Sequence, residues 1–183
     1  KKILKLKMKK YQIRIEYKKK LYILRKIKIR DIDNNYVDAL KQNKFLASIP
    51  INLDLKRQKQ IVKKINNSKN RKLIGFFNKN DLIGTSGFQN FNKKKLDIGI
   101  FLFNKNFTGK RLAKIFIWYA GFYMYHFYKK KYFIAGIVKS NYKSLKAFKG
   151  AGYKLLNKKK GGYNYFLEIE NHKPNFTKNI KLY

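Results

Sequence analysis

From Leu82 to Leu155 the sequence runs strand, strand, glycine-led helix, strand, then a helix led by Asn141 and Ser144, and few architectures accommodate that order. Its centre is the apolar segment Leu96-Asp97-Ile98-Gly99-Ile100-Phe101-Leu102-Phe103. A polar turn, Asn104 to Thr108, follows it, and Gly109-Lys110-Arg111-Leu112-Ala113 then opens a long apolar helix. A strand feeding a tight turn at a helix N-terminus presents unpaired backbone N–H groups and the positive end of the helix dipole to an anion. The expected ligand is therefore phosphorylated.

A chain of 183 residues, 44% apolar and 16% aromatic, has the material for one globular unit with a sizeable core. Cysteine is absent, which excludes disulfides, thiolate metal sites and cysteine nucleophiles. The two histidines, His126 and His172, lack ligand spacing, so no metal is expected. The most apolar run, Ile115 to Phe127, is shorter than the roughly 20 residues of a bilayer span and is rich in Tyr, so it reads as a buried helix. The lysine-studded start has no continuous apolar stretch of the secretory kind. The expected compartment is the cytoplasm, with monomer and homodimer both open.

The formal charge of +37 has two readings. One is a footprint for a polyanion, since clustered Lys and Arg drive salt-dependent nucleic-acid binding. The other is base composition: the cations are 40 Lys and 6 Arg, spread along the whole chain beside abundant Asn, Ile, Tyr and Phe, all with A/T-rich codons. Specific phosphate or base recognition leans on the planar fork of Arg. The second reading is preferred and nucleic acid is the less favoured partner, although Phe76, Phe77, Phe88 and Phe91 would suit base stacking if exposed. Either way the charge draws in anionic substrates.

Residues 1–20 read as a basic lead-in. Within it Tyr11 to Tyr17 alternates as an edge strand or a frayed end. A second alternating strand, Tyr22 to Ile29, stops at Asp31-Ile32-Asp33, where Asp31 or Asp33 caps a helix over Tyr36 to Asn43. Asp54 caps another over Leu55 to Ile65, with Leu55, Ile61, Val62 and Ile65 on one face. A meander follows: Leu73 to Phe77, Leu82 to Phe91 and Leu96 to Phe103, joined by polar turns. Then come a helix over Gly109 to Tyr128, a strand over Tyr132 to Val138, a helix over Tyr142 to Lys149 stopped at Ala151-Gly152, and strands Tyr153 to Asn157 and Tyr163 to Ile169. Residues 21–170 are expected to form one domain and 171–183 a loosely held tail.

Four pieces carry a resemblance: Leu82-Ile83-Gly84-Thr85-Ser86-Gly87, Asp97-Ile98-Gly99-Ile100, Gly109-Lys110-Arg111-Leu112-Ala113, and Asn141-Tyr142-Lys143-Ser144 followed by Gly152-Tyr153. In this order and spacing, over roughly Leu24 to Leu167, the chain resembles the GNAT superfamily of acyl-CoA-dependent N-acetyltransferases. The nearest branch includes ribosomal-protein N-terminal and amino-sugar acetyltransferases. The resemblance implies an α/β (α+β) fold, a mixed and mostly antiparallel sheet of six to seven strands flanked by about four helices. It also implies acetyl-CoA as cosubstrate and no metal. The family's phosphate-loop signature is Gln or Arg, two residues, Gly, one residue, then Gly or Ala. It places Thr108, Arg111 and Ala113 at those positions, and only Ala113 matches; Gly109, Lys110 and Leu112 fit the usual surroundings. Arg111 puts a side chain where a glycine lets backbone approach pyrophosphate, or itself pairs with a CoA phosphate.

By the same resemblance, backbone groups of Phe101, Leu102 and Phe103 hold the thioester and pantetheine. Asn141 contacts the pantetheine or a structural water, and Ser144 hydrogen-bonds the departing thiolate. The tyrosine that many members use as general acid falls at Phe148, which has no proton to give. Asn141 equally suits a plain helix cap. For the base, Asp97 is the best candidate, directly or through water, with pairing to a lysine as its alternative. His126, Tyr119, Tyr123 and Tyr163 read as core. The acceptor would be set by Asp33 to Ile65 and Asn157 to Tyr165, which hold few acids, so a polyamine is disfavoured. A small-molecule amine such as a nucleotide-linked amino sugar comes first and a protein N-terminus second. Non-catalytic polyanion or nucleic-acid binding and a degenerate CoA-binding member remain further alternatives.

Overall fold

Period-two burial sets the strands and caps set the helices. In the computed structural model, which describes residues 11–43, 53–107, 109, 111–175 and 181–182, Ile13 and Ile15 are buried while Arg14 and Glu16 are not, and this alternation makes strand β1, Gln12–Tyr17. The remaining strands are β2 Lys20–Lys26, β3 Lys72–Asn78, β4 Asp81–Gln89, β5 Lys95–Leu102, β6 Tyr132–Val138, β7 Lys154–Lys159, β8 Gly162–Glu168 and the two-residue β9 Lys181–Leu182. The helices are α1 Asn34–Lys41, α2 Leu55–Asn67, α3 Leu112–Tyr128 and α4 Tyr142–Gly150. Among the described residues one sheet holds all nine strands, in the order β7-β8-β6-β5-β4-β3-β2-β1-β9. Every pairing is antiparallel except β5 with β6.

The expected sheet of six to seven strands is exceeded because β1 is no frayed end. It pairs with β2 from Gln12↔Arg25 to Tyr17↔Lys20, and β9 covers its other edge. Around the start of the expected tail the described residues are tied to α3 and to Lys131. Trp118 Nε1 donates to the His172 carbonyl, Tyr125 Oη donates to Glu170, and Lys131 pairs with Glu170. Strand β2 ends before Ile29 because Asp31 folds back: its carboxylate accepts from the Lys28 N–H and from both terminal nitrogens of Arg25, closing a 3-10 turn at Ile29–Asp31. That leaves Asp33 as the cap of α1, accepting from the Tyr36 N–H, while Asp54 caps α2 through Arg57; each such cap contributes about 1 kcal/mol.

The two faces of the sheet are covered differently. Helices α3 and α4 lie on one face over the larger core, where Phe116, Phe133, Leu96, Ile98, Phe148 and Leu167 meet. Helix α3 is apolar on nearly every side, with ten of its residues buried, which accounts for the run Ile115 to Phe127. Among the described residues no helix is long and apolar enough to cross a membrane. Helices α1 and α2 cover part of the other face with a smaller cluster of Ile27, Ile32, Tyr36 and Val62, against which Leu73, Phe101 and Phe103 pack. Tyr119 and Tyr123 are core residues as expected. His126 is instead half-buried on the outer flank of α3, beside Phe122 and Phe127.

Candidate active site

The β5–β6 ladder is cut short. It pairs Lys95–Asp97 with Tyr132–Ile134 and stops, whereas on their other edges β5 stays paired with β4 up to Leu102, and β6 with β8 along its whole length. Two parallel strands that part in mid-sheet turn main-chain donors and acceptors into the gap, where burial makes an unpaired group costly. Such a slot suits an extended ligand that bonds as a strand does. Both strands run into helices at the parted end, β5 into α3 through residues 103–111 and β6 into α4 through residues 139–141. This is the carboxyl end of a parallel pair, where helix N-termini gather.

The two helix starts differ. At α4, Asn141 Oδ1 accepts from the Ser144 N–H at 3.1 Å, so the cap alternative for Asn141 is realised. At α3 the N-cap position is Arg111, with φ 61° and ψ 11°, and its side chain, which has no acceptor, makes no capping bond. Gly109 also has a positive φ of 74°. These left-handed residues end the turn, so α3 begins at Leu112 and not at Gly109. Upstream, the N–H groups of Phe103 and Asn104 both donate to the Ile83 carbonyl, and Asn104 Oδ1 accepts from Asn106 N–H, which fixes the loop on β4. Arg111 is exposed, and with Gly109, Leu112, Phe107, Lys18 and Lys20 it lines a cavity of about 220 Å³ beside the start of α3. Thr108 and Lys110 lie outside the described residues.

Phe101 and Phe103 turn away from the larger core. Phe103 meets Tyr36 edge-on at 5.5 Å and Phe101 at 5.2 Å, while Leu102 faces the α3 side. Leu112 is fully buried as the first residue of α3, and Ala113 beside it is half-buried. Phe148 is buried edge-on against Tyr153 at 5.0 Å, so the position of the family tyrosine is a packing position here. Ser144 is half-buried in the first turn of α4.

On the α1–α2 face the parted strands open into a cleft of about 540 Å³. Asp97 lies on its floor, exposed, with its carboxylate accepting from the side-chain amide of Asn90. Helix α2 bounds one side through Ile65, and the β7–β8 hairpin bounds the other through Lys159 and Asn164; these belong to the segments expected to set the acceptor. The cleft also has Gly87, Gly99 and Gly136 along it, residues that reading the sequence alone does not single out as an acceptor surface. Their signal is a glycine at an inward position on each of three strands, visible only once the register is known.

Lys72, at the cleft's edge, has its ammonium pushed down by burial and by nearby Lys26; it donates to the Ser68 carbonyl at 2.7 Å. Among the described residues no group of His, Asp and Glu is placed to hold a metal ion. Phe76, Phe77 and Phe88 are buried, so the aromatic platform that base stacking would need is not formed.

The parted strands, the open start of α3 and the cleft fit a thioester carrier with a phosphorylated tail. Residues 22–154 match the family model described as an acetyltransferase (GNAT) domain. Mycobacterium smegmatis RimJ, solved with CoA-disulfide, superposes with a TM-score of 0.72 at 11% identity, covering 93% of this chain and 96% of its own. The ribosomal-protein-S5-alanine acetyltransferase of Vibrio fischeri gives 0.67 at 19% identity over 84% and 96%. Campylobacter jejuni N-acetyltransferase PseH, solved with acetyl coenzyme A, gives 0.60 at 19% over 79% and 98%. At such identities the likeness is one of fold. Among curated protein sequences none matches significantly.

Proposed function

Since the chain belongs to the GNAT acetyltransferase family, we propose that it moves an acetyl group from acetyl-CoA to the primary amine of a small molecule such as a nucleotide-linked amino sugar. The observation that carries this reading is the parting of β5 from β6 after Asp97 and Ile134, directly above a cleft of about 540 Å³. Acetyl-CoA supplies an acyl group already activated as a thioester, so the chain's own residues need only position groups and handle protons. The pantetheine arm lies along the main chain of Phe101, Leu102 and Phe103; the Phe103 N–H is taken by the Ile83 carbonyl, so the Leu102 N–H, turned to the other edge of β5, polarises the thioester carbonyl. Gly109, Arg111, Leu112 and Ala113, with Thr108 and Lys110, receive the phosphates at the start of α3.

In the cleft, Asp97 takes the proton of the acceptor ammonium, directly or through water. The neutral amine then attacks the thioester carbonyl carbon, and a C–N bond forms as the C–S bond breaks. Ser144 donates its hydroxyl proton to the departing sulfur and regains one from the new amide nitrogen. Asn141 keeps the first turn of α4, and hence Ser144, in place. The products are an acetamide, the CoA thiol and one released proton.

A protein N-terminus is the second acceptor reading, supported by the fold likeness to the ribosomal-protein enzyme. The test is calorimetric titration with acetyl-CoA at near-physiological salt, with inorganic polyphosphate as control, because a chain of charge +37 attracts any polyanion. Saturable one-to-one binding that survives salt and exceeds the control is expected. Binding no better than polyphosphate and fading with salt would replace transfer by polyanion binding.

A further inference from the structure

Three glycines form one row across the cleft floor. Gly87 on β4 is the register partner of Gly99 on β5, and Gly136 on β6 lies two residues past Ile134, as Gly99 lies two past its partner Asp97. The row continues on both sides, through Leu73 opposite Gly87 and Asn164 opposite Gly136. A glycine inside a strand costs about 0.5–1 kcal/mol relative to alanine, so three in one row need a reason.

Neither backbone nor packing supplies one. None of the three has a positive φ. A Cβ built on Gly99 meets nothing within 4 Å, one on Gly87 only Leu73 Cδ1 at 3.8 Å, and one on Gly136 only Asn164 Oδ1 at 3.6 Å. The space they leave is therefore kept for something that lies against bare backbone. With strands about 4.8 Å apart, the row exposes main chain over roughly 10 Å, wider where β5 and β6 part. That width suits a ring-bearing body better than a single alkyl chain.

The charges around the floor are asymmetric. Among the described residues lining it, Arg71 and Lys72 stand at one side and Lys159 at the other, against the single carboxylate of Asp97. Asn164, only 8% exposed, has its Nδ2 donating to Asn157 Oδ1 at 2.9 Å, which fixes its Oδ1 towards Gly136. Whatever the origin of the chain's many lysines, an acceptor in this cleft meets three cations and one carboxylate.

We propose that the acceptor is an anionic, ring-bearing amine of the sugar-phosphate or nucleotide-sugar class, lying flat on Gly87, Gly99 and Gly136 with its anion towards Lys159 or Arg71 and its amine towards Asp97. This rests on the acetyl-transfer reading and narrows its substrate. Gly99 is then a specificity-determining position: a β-branched side chain there fills the floor without touching the start of α3.

The experiment titrates CoA-saturated protein with UDP-glucosamine, glucosamine and spermidine at near-physiological salt. UDP-glucosamine is expected to bind at least about ten-fold more tightly than glucosamine, and spermidine not at all. Gly99→Val should weaken UDP-glucosamine by about ten-fold or more while leaving the acetyl-CoA Kd unchanged. Lys159→Glu should weaken UDP-glucosamine and spare glucosamine. If Gly99→Val does not fold, Gly99→Ala, checked by its melting temperature, makes the same test with a smaller expected loss. Binding of none of the three, glucosamine or spermidine equalling UDP-glucosamine, or an indifferent Gly99 variant would overturn the proposal and leave acetyl transfer intact. Failure of the unsubstituted protein to bind acetyl-CoA would instead overturn the transfer reading and this inference with it.

Discussion

The two faces of one sheet are built by opposite rules. On the α3–α4 face the inward positions are closed over by interlocking side chains, small residues such as Gly84 and Ala135 lying against larger neighbours, with Phe116 stacked on Phe76 at 4.6 Å and Leu96, Phe133 and Leu167 fully buried around them. On the other face α1 and α2 cover only the β2–β4 side and the end of β5, and the middle of the sheet is left to glycines and Asp97. Stability is concentrated where side chains interlock, and room for chemistry is left where they are withheld. The parting of β5 and β6 connects the two, because α3 and α4 start on the closed face and the cleft opens on the other.

The largest break in this comparison comes from hollowing the closed face. Phe116→Ala removes a fully buried ring from the middle of the core and should cost about 3–5 kcal/mol, read as a lower urea midpoint with an unchanged slope. The next test applies one substitution to both faces. At Gly84 a new Cβ would lie 3.0 Å from the Phe101 carbonyl and 3.2 Å from Phe116 Cε1, so Gly84→Ala should destabilise by about 1–3 kcal/mol. Gly99→Ala, with nothing within 4 Å, should stabilise by about 0.5 kcal/mol. Equal signs in a pair of thermal melts would mean that the faces do not differ as described.

The closed face was the more legible one from sequence. Alternation placed β3 to β6 within one or two residues, and Asp54, Asn141 and the pair Asp31 or Asp33, of which Asp33 is the cap, marked three helix starts because a short acceptor side chain before a helix has few other uses. The start of α3 was misplaced by three residues because the left-handed backbone of Arg111 leaves no trace in a residue type that rarely adopts it. Whether β1 is an edge strand or a frayed end stays open in the sequence, since the β9 segment that covers it lies some 165 residues away. Asp97 is a candidate only through the resemblance, in which an acid often stands at the start of this strand, and the structure places it on the cleft. The glycine floor could not be named in advance, since Gly87, Gly99 and Gly136 become neighbours only through pairing.

A smaller effect tests how the open-face side is tied down. Arg25 lies 3.8 Å over the Phe77 ring and forks onto Asp31. Burial alone would raise the Asp31 carboxyl, but the Arg25 and Lys28 donors outweigh it and hold it below its ordinary value. A depressed carboxyl contributes stability above its unfolded pKa and loses it as pH falls through the folded value, so the loss belongs below about pH 4. After allowance for screening at a partly exposed pair, the contribution is about 1–2 kcal/mol. Denaturant melts at pH 7 and pH 3 should show it, and in Asp31→Asn this acid-dependent share should vanish; an equal drop in both proteins would assign it to other carboxylates.

Another small effect concerns a flaw in the closed face. The Tyr153 hydroxyl is buried without a hydrogen-bond partner, and burial pushes its pKa far up. A hydroxyl in that state costs desolvation and returns nothing, so Tyr153→Phe should stabilise by about 1 kcal/mol. The substitution also asks whether this tyrosine takes over the proton donation that Phe148 cannot perform. The two rings meet edge-on at 5.0 Å inside the core, with Tyr153 at the end of α4 away from Ser144. A packing role predicts a higher melting temperature with an unchanged kcat and pH profile; a fall in kcat at high pH would move proton donation from Ser144 to Tyr153 and make the closed face part of the active site.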